Sequence, residues 1–287
     1  MSLPEFLEHR EVRELIARAL IEDIGAGDIT SEALVGAGDR AKAAIVSRGH
    51  YLLAGGPVAE LVFKTVDTEV KARLLIADGS PVRPGDTILQ VEGRARGLLV
   101  AERTALNFIQ QLTGIATLTH QFVERVAPYG VHILDTRKTS PALRILQKYA
   151  VHCGGGVNHR MGLYDRILIK DNHLAFWGRH GTGNPADAVR RARKKFPGVE
   201  LEIEVENEAD LRKVLEAAPD WILLDNMPPA KIRRCVEINA NRCKLEASGG
   251  VTLANVAAIA VTGVHAISVG CLTHSPAAAD LSMEFEH

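Results

Sequence analysis

Two strand-like runs, residues 131–134 and 167–169, each break directly into charge. The first runs into Asp135-Thr136-Arg137-Lys138-Thr139 and the second into Lys170-Asp171-Asn172-His173. Between them stand three glycines, Gly154-Gly155-Gly156, and then Val157-Asn158-His159-Arg160. Short apolar runs of this kind read as buried strands, so the residues just past them are positioned rather than free. Arg137, Lys138, His159, Arg160 and Lys170 then describe a pocket for a strongly anionic small molecule. An arginine fork takes both oxygens of a carboxylate at once, and a lysine supplies a compact point charge. Ordinary surface ion pairing is the bland alternative and would contribute little; a position at strand ends speaks against it. A histidine in such company is as readily a neutral hydrogen-bonding residue as a general base.

A second set is acidic. Glu202, Glu204 and Glu206 alternate along one run, so on a strand they share a face, and a row of carboxylates is not plain core. Glu204 and Asp225, at the ends of neighbouring strands, carry the oxygen donors that Mg²⁺ prefers, an ion that often arrives with a polyphosphate. The other reading pairs these acids with the basic set as a structural network. Ser248-Gly249-Gly250 precedes a helix expected to open at Val251-Thr252, and bare N–H groups at a helix N-terminus make an anion site. Gly270, after Ser268-Val269, offers a matching close approach from the last strand. The triple glycine lacks the dinucleotide spacing, and His152, His180, His265 and His274 show no metal-ligand spacing.

Elements must deliver these side chains to one place. After Gly114 the chain repeats a short apolar strand, a polar tip and a helix. The strands are expected over residues 131–134, 167–169, 201–205, 221–224, 244–247 and 266–269. The helices are expected over residues 185–195, 208–217, 229–239 and 253–262. This βα alternation implies a parallel sheet, and polar residues at every strand tip favour an incomplete (β/α) barrel over a doubly wound sheet, which gathers ligands only at a switch point. The fold class is therefore α/β. Residues 1–113 mix strands and helices without βα order and read as an α+β sandwich domain, with helices over residues 3–22, 58–66 and 97–112 and strands over residues 41–47, 51–53, 70–76 and 87–92. Thr113-Gly114 is the expected break, residues 114–275 the barrel domain, and residues 276–287 a tail returning to the first domain. Asp28 is expected to cap a helical turn, a purely structural role.

The bulk numbers bound the function. A chain of 287 residues with net charge −1 has room for a large core and lacks the basic excess of a nucleic-acid binder. Its four cysteines form no CxxC pair, no run reaches membrane-spanning length, and the N-terminal stretch lacks a signal peptide's pattern. A cytoplasmic enzyme with neither nucleic-acid nor membrane partners is the expectation.

The motif series resembles the quinolinate phosphoribosyltransferase family. It runs from Asp135-Thr136-Arg137-Lys138-Thr139 through Gly154-Gly155-Gly156-Val157-Asn158-His159-Arg160 to Leu168-Ile169-Lys170-Asp171-Asn172-His173. It continues with Glu202-Ile203-Glu204-Val205-Glu206, Leu223-Leu224-Asp225-Asn226, Glu246-Ala247-Ser248-Gly249-Gly250 and Ser268-Val269-Gly270. Ala101-Glu102-Arg103-Thr104-Ala105-Leu106-Asn107 matches the family's first-domain helix. Ser140, Ala142 and His152 depart from it, standing where Thr, Gly and Arg are common. The resemblance implies a homodimer with shared sites that converts quinolinate and phosphoribosyl pyrophosphate to nicotinate mononucleotide, pyrophosphate and CO₂ in NAD biosynthesis. It implies that Arg103 (from the partner), Arg137, His159, Arg160 and Lys170 bind the quinolinate carboxylates, and that Lys138 lies between substrate and pyrophosphate. Glu204 and Asp225 would face Mg²⁺ and the ribose hydroxyls, and Ser248, Gly249, Gly250 and Gly270 the 5′-phosphate. A related nicotinate phosphoribosyltransferase and a non-catalytic phosphate-binding barrel are the alternatives. The number of basic residues favours the dicarboxylate, and retention of Glu204, Asp225 and Lys138 together disfavours mere binding.

Overall fold

The structure, a computed structural model, describes residues 9–180 and 183–286. It divides into two compact units, one of Met1–His120, Thr139–Gly155 and Ser275–His287, the other of Gln121–Lys138 and Gly156–His274. The packing thus does not follow a single cut at residue 113.

In the first unit, helix α1 (Arg10–Ile24) buries Val12, Ile16 and Leu20, one residue per turn on a single stripe; of the helix expected from residue 3, residues 3–8 lie outside the described residues. Helix α2 (Ile29–Leu34) starts at Asp28, whose carboxylate accepts the N–H groups of Thr30 and Ser31. Strand β1 (Arg40–Ser47) is followed by β2 (Tyr51–Leu52), helix α3 (Gly56–Val66), β3 (Lys71–Leu74), β4 (Pro81–Val82) and β5 (Thr87–Arg94). The C-terminal strand β12 (Leu281–Phe285) adds to β1, giving an antiparallel sheet of order β12-β1-β5-β3.

Helix α4 (Ala95–Val126) runs straight through Thr113-Gly114, so the backbone stays helical across the expected boundary. The glycine serves a close approach instead: a Cβ at Gly114 would lie 2.0 Å from the Ala277 carbonyl oxygen. Thr113 turns its hydroxyl to the Ala54 carbonyl (3.0 Å). Helix α5 (Arg144–Cys153) also belongs to this unit.

The second unit holds β6 (His132–Leu134), β7 (Ile167–Ile169), β8 (Leu201–Val205), β9 (Trp221–Asp225), β10 (Lys244–Ser248) and β11 (Ala266–Ser268). Helices α6 (Asp171–His180), α7 (Pro185–Lys195), α8 (Glu208–Leu215) and α9 (Pro229–Asn239) join successive strands, α6 and α7 both lying between β7 and β8. All pairings are parallel and the order is β6-β11-β10-β9-β8-β7. That is the cyclic order of a (β/α) barrel of six strands with one seam between β6 and β7, and no switch point of a doubly wound sheet occurs. The seam is lined by a single bridge from Leu134 to Val157. Ile133, Ile203, Ile222, Leu224, Leu245 and Ile267 are buried on these strands. The helix expected over residues 253–262 shrinks to Val256–Ala260.

Candidate active site

Every strand end of the barrel contributes to one cavity of about 510 Å³. It is lined by Thr136, Arg137 and Lys138 after β6, His159 and Arg160 from the seam, and Lys170 after β7. Glu204 and Asp225 reach it from β8 and β9, Glu246, Ser248, Gly249 and Gly250 from β10 and its loop, and Ser268 from β11.

Buried backbone bonds aim the basic residues. Val157 donates its N–H to Ile133 O (2.8 Å), which lays residues 157–160 along the open edge of β6. The buried Asp135 carboxylate then accepts the His159 N–H (2.9 Å). Lys138 is pinned through its backbone: its N–H goes to Thr136 Oγ1 (3.0 Å) and its carbonyl accepts the Thr273 hydroxyl (2.8 Å). Arg160 donates to the Arg166 carbonyl (3.2 Å). Burial first, and the nearby Arg137 charge second, pull the Arg160 guanidinium below its ordinary pKa. Two guanidiniums set this close in a shared cavity invite an anion between them.

The acids divide in two. Glu204, mostly buried, takes Lys170 Nζ at 3.0 Å, and burial raises its carboxyl while that ammonium opposes the rise. Asp225 accepts from the Asn226 amide at the next position. Glu202 and Glu246 are fully buried, Glu246 at the cavity wall, and one oxygen of each and a ring nitrogen of His159 all lie within 4.8 Å of one another. Burial, then the Glu202 charge, lifts the Glu246 carboxyl well above the usual carboxylate range, with the Ser268 hydroxyl opposing. The alternation of Glu202, Glu204 and Glu206 holds, but the three have different fates: Glu202 in the core, Glu204 at the mouth, Glu206 exposed beyond the strand.

Two expectations need correction, and one residue is added. No helix opens at Val251-Thr252; Asn255 holds that loop instead, accepting Thr252 N–H (2.8 Å) and donating to Gly250 O (2.9 Å). The glycine loop itself is real: Gly249 has φ +95°, and a Cβ there would come within 2.1 Å of Asn226 Oδ1. Gly270 does not line the cavity; it makes room for Lys138, whose Cδ would lie 3.2 Å from a Cβ at that position. Arg103 sits on α4 in the first unit with 62% of its side chain exposed, and is not among the lining residues. Glu246 was not singled out from sequence, although an acid between Leu245 and Ala247 breaks an aliphatic run as Glu202 does.

An open parallel barrel whose mouth sets crowded cations opposite paired carboxylates defines an enzyme class that handles polyanionic substrates. The particular family follows from comparison. The quinolinate phosphoribosyl transferase N-terminal domain matches residues 28–113 and the C-terminal domain residues 115–284. The chain belongs to the quinolinate phosphoribosyl transferase family. It is 40% identical over 279 residues to a probable carboxylating nicotinate-nucleotide pyrophosphorylase of Bacillus subtilis, covering 97% of this chain and 94% of that one. It is 43% identical over 283 residues to the carboxylating nicotinate-nucleotide pyrophosphorylase of Mycobacterium leprae, covering 96% and 98%. The solved nicotinate-nucleotide pyrophosphorylase of Francisella tularensis superposes with a TM-score of 0.91 at 39% identity, covering 96% of each chain.

Proposed function

We propose that the chain transfers the phosphoribosyl group of phosphoribosyl pyrophosphate to the ring nitrogen of quinolinate, yielding nicotinate mononucleotide, pyrophosphate and CO₂ for NAD biosynthesis. One observation carries this reading: Arg137 and Arg160 crowd one another beside Lys138 and Lys170 in a single cavity, more positive charge than a monocarboxylate needs. The cations hold the diacid so that its ring nitrogen faces the sugar carbon, turning a bimolecular step into a positioned one. As the bond from that carbon to pyrophosphate breaks, the electron pair leaves with the pyrophosphate, and the sugar becomes oxocarbenium-like. Glu204 and Asp225 stabilise that positive centre, as carboxylates do in glycoside cleavage. Lys138 neutralises the departing pyrophosphate oxygens. The ring lone pair forms the new N–C bond and leaves the ring cationic. The adjacent C–CO₂ bond then breaks, its electrons entering the ring, and the carbon takes up a proton.

Glu204 and Asp225 also fit a Mg²⁺. Two hard carboxylates from adjacent strands, one already engaged by Lys170, make no closed protein cage, which suits an ion that keeps water and phosphate ligands. Such an ion, when bound, adds positive charge at the pyrophosphate. The reading includes a cytoplasmic homodimer, in keeping with the free cysteines, in which the exposed Arg103 of each copy completes the other's pocket.

The test is to incubate the protein with quinolinate, phosphoribosyl pyrophosphate and Mg²⁺. Mononucleotide and CO₂ are expected in equal amounts, with nicotinate a poor replacement. Equal use of nicotinate without CO₂ would favour the nicotinate enzyme, and no nucleotide from either acid would favour a binding protein.

A further inference from the structure

His159 lines the cavity, yet each of its polar groups is already committed. Its backbone N–H goes to Asp135 Oδ1 at 2.9 Å. Its Nδ1 accepts the Arg160 N–H at 2.7 Å. Its Nε2 lies 3.0 Å from Glu202 Oε2 and 3.5 Å from Glu246 Oε2. An Nδ1 that accepts a backbone N–H carries no proton, so the hydrogen-bond network assigns the ring hydrogen to Nε2, pointing down at the buried acids. The ring is 7% exposed. No ring nitrogen then remains to meet a substrate carboxylate.

We infer that His159, Glu202 and Glu246 form a strut that aims Arg160 at the substrate, so that His159 is a positioning residue and the two acids act through it. The acids stand on β8 and β10, on either side of β9, and both are fully buried. Such strands are the stiffest support the barrel offers. The ring carries that rigidity to the backbone of the one arginine on the seam segment. Glu202 supplies the acceptor for Nε2–H, and Arg166 Nε, 3.7 Å from the same oxygen, leans on it from the other side. Glu246, whose carboxyl burial lifts well above the usual range, completes the layer, its Oε2 lying 3.5 Å from Nε2. A leucine pair would fill this volume at less desolvation cost. Retaining two acids there makes sense if the histidine above must hold one orientation. This rests on the proposed reaction, because it presumes that Arg160 holds a substrate carboxylate.

A double-mutant cycle and a spectrum test it separately. Glu202→Leu should raise KM for quinolinate about tenfold, the size of one hydrogen bond to a charged group, and leave KM for phosphoribosyl pyrophosphate within about twofold. In an Arg160→Ala background the same change should add less than about twofold, because the strut would have nothing left to aim. Glu202→Gln, which keeps an acceptor oxygen, should recover most of the lost affinity. Additive effects in the two backgrounds would mean that His159 meets the diacid itself, and parallel rises in both KM values would mean a merely structural role; either overturns the inference. ¹⁵N NMR of the wild-type protein, with His159 assigned by its absence in His159→Gln, should show the Nε2–H tautomer. An Nδ1–H tautomer would also overturn it. The spectrum needs no substrate, so a failure of the reaction assay leaves this result standing, and the reverse.

Discussion

The barrel has a cavity at each end of its strands, and the larger one is not the one that gathers the basic set. At the N-terminal ends a cavity of about 730 Å³ is lined by Arg193, Glu200, Asp220, Trp221, Arg242, Lys244 and His265 among others. Charge is abundant there, but its side chains are tied to their neighbours. Arg193 donates to Asp220 (2.9 Å), which also accepts the Leu201 N–H (2.8 Å). Arg242 donates to the Ile238 carbonyl (2.7 Å), and the Trp221 indole to Glu200 (2.7 Å). Lys244 lies over the Trp221 ring at 5.0 Å. At the C-terminal ends the smaller cavity draws Arg137, Lys138, Arg160 and Lys170 together, with Glu204 paired to only one of them. Charge engaged by its neighbours tethers loops to strands; like charge gathered in one cavity suits an anion. Volume distinguishes neither.

The sharpest way to break this contrast is at Lys138. Lys138→Ala should lower kcat by roughly 10²–10³-fold, the usual loss when a donor to developing negative charge is removed, while KM for quinolinate changes little. A rise confined to KM would remove Lys138 from the leaving-group role. Next, Arg103→Ala and Arg137→Ala should each be nearly inactive alone. Dissociated and mixed, they should regain about a quarter of wild-type activity, since half the dimers would carry one intact site. No recovery would argue that sites are not shared.

The other end of the barrel should respond in a different quantity. Arg242→Ala and Lys244→Ala should leave kcat/KM within about twofold and lower Tm by about 2–4 °C. A large loss of turnover with an unchanged Tm would mean that the N-terminal cavity takes part in the reaction. The smallest effect belongs to the first unit, where Arg94 donates two bonds of 2.8 Å to Asp67. These hold the Asp67 carboxyl down at about 2. A depressed carboxyl stabilises the fold above its unfolded pKa, near 4, and loses that contribution as pH falls toward 2. Asp67→Asn should therefore cost on the order of 1 kcal/mol at pH 7, discounted because Arg94 is half exposed, and should flatten the stability curve between pH 4 and 2. Denaturant melts at several pH values check this; a parallel curve for the variant would contradict it.

The barrel was legible because several of its strands are apolar runs that end in charge, as residues 167–170 and 221–225 do, and that pattern reports burial directly. The basic set at the mouth was legible for the same reason. Gly114 does not stop helix α4, although a glycine's usual message is a helix stop; it admits the Ala277 carbonyl instead. No helix follows the glycine turn at Val251-Thr252, because Asn255 bonds back to Thr252 N–H and Gly250 O and closes a loop there. Helix α6 leaves little trace in the sequence because only Leu174 and Trp177 are even half-buried among its described residues. The joint burial of Glu202 and Glu246 lies beyond local reasoning, since it exists only once the sheet curls and brings β8 and β10 to one interior.

The most direct test of the contrast between the two ends is where the diacid binds. In a crystal of the protein soaked with quinolinate, its carboxylates should lie against Arg137, Arg160 and Lys170 at the C-terminal strand ends. Density for the diacid at Arg193, Arg242 and Lys244 instead, with the C-terminal cavity unchanged, would contradict the account.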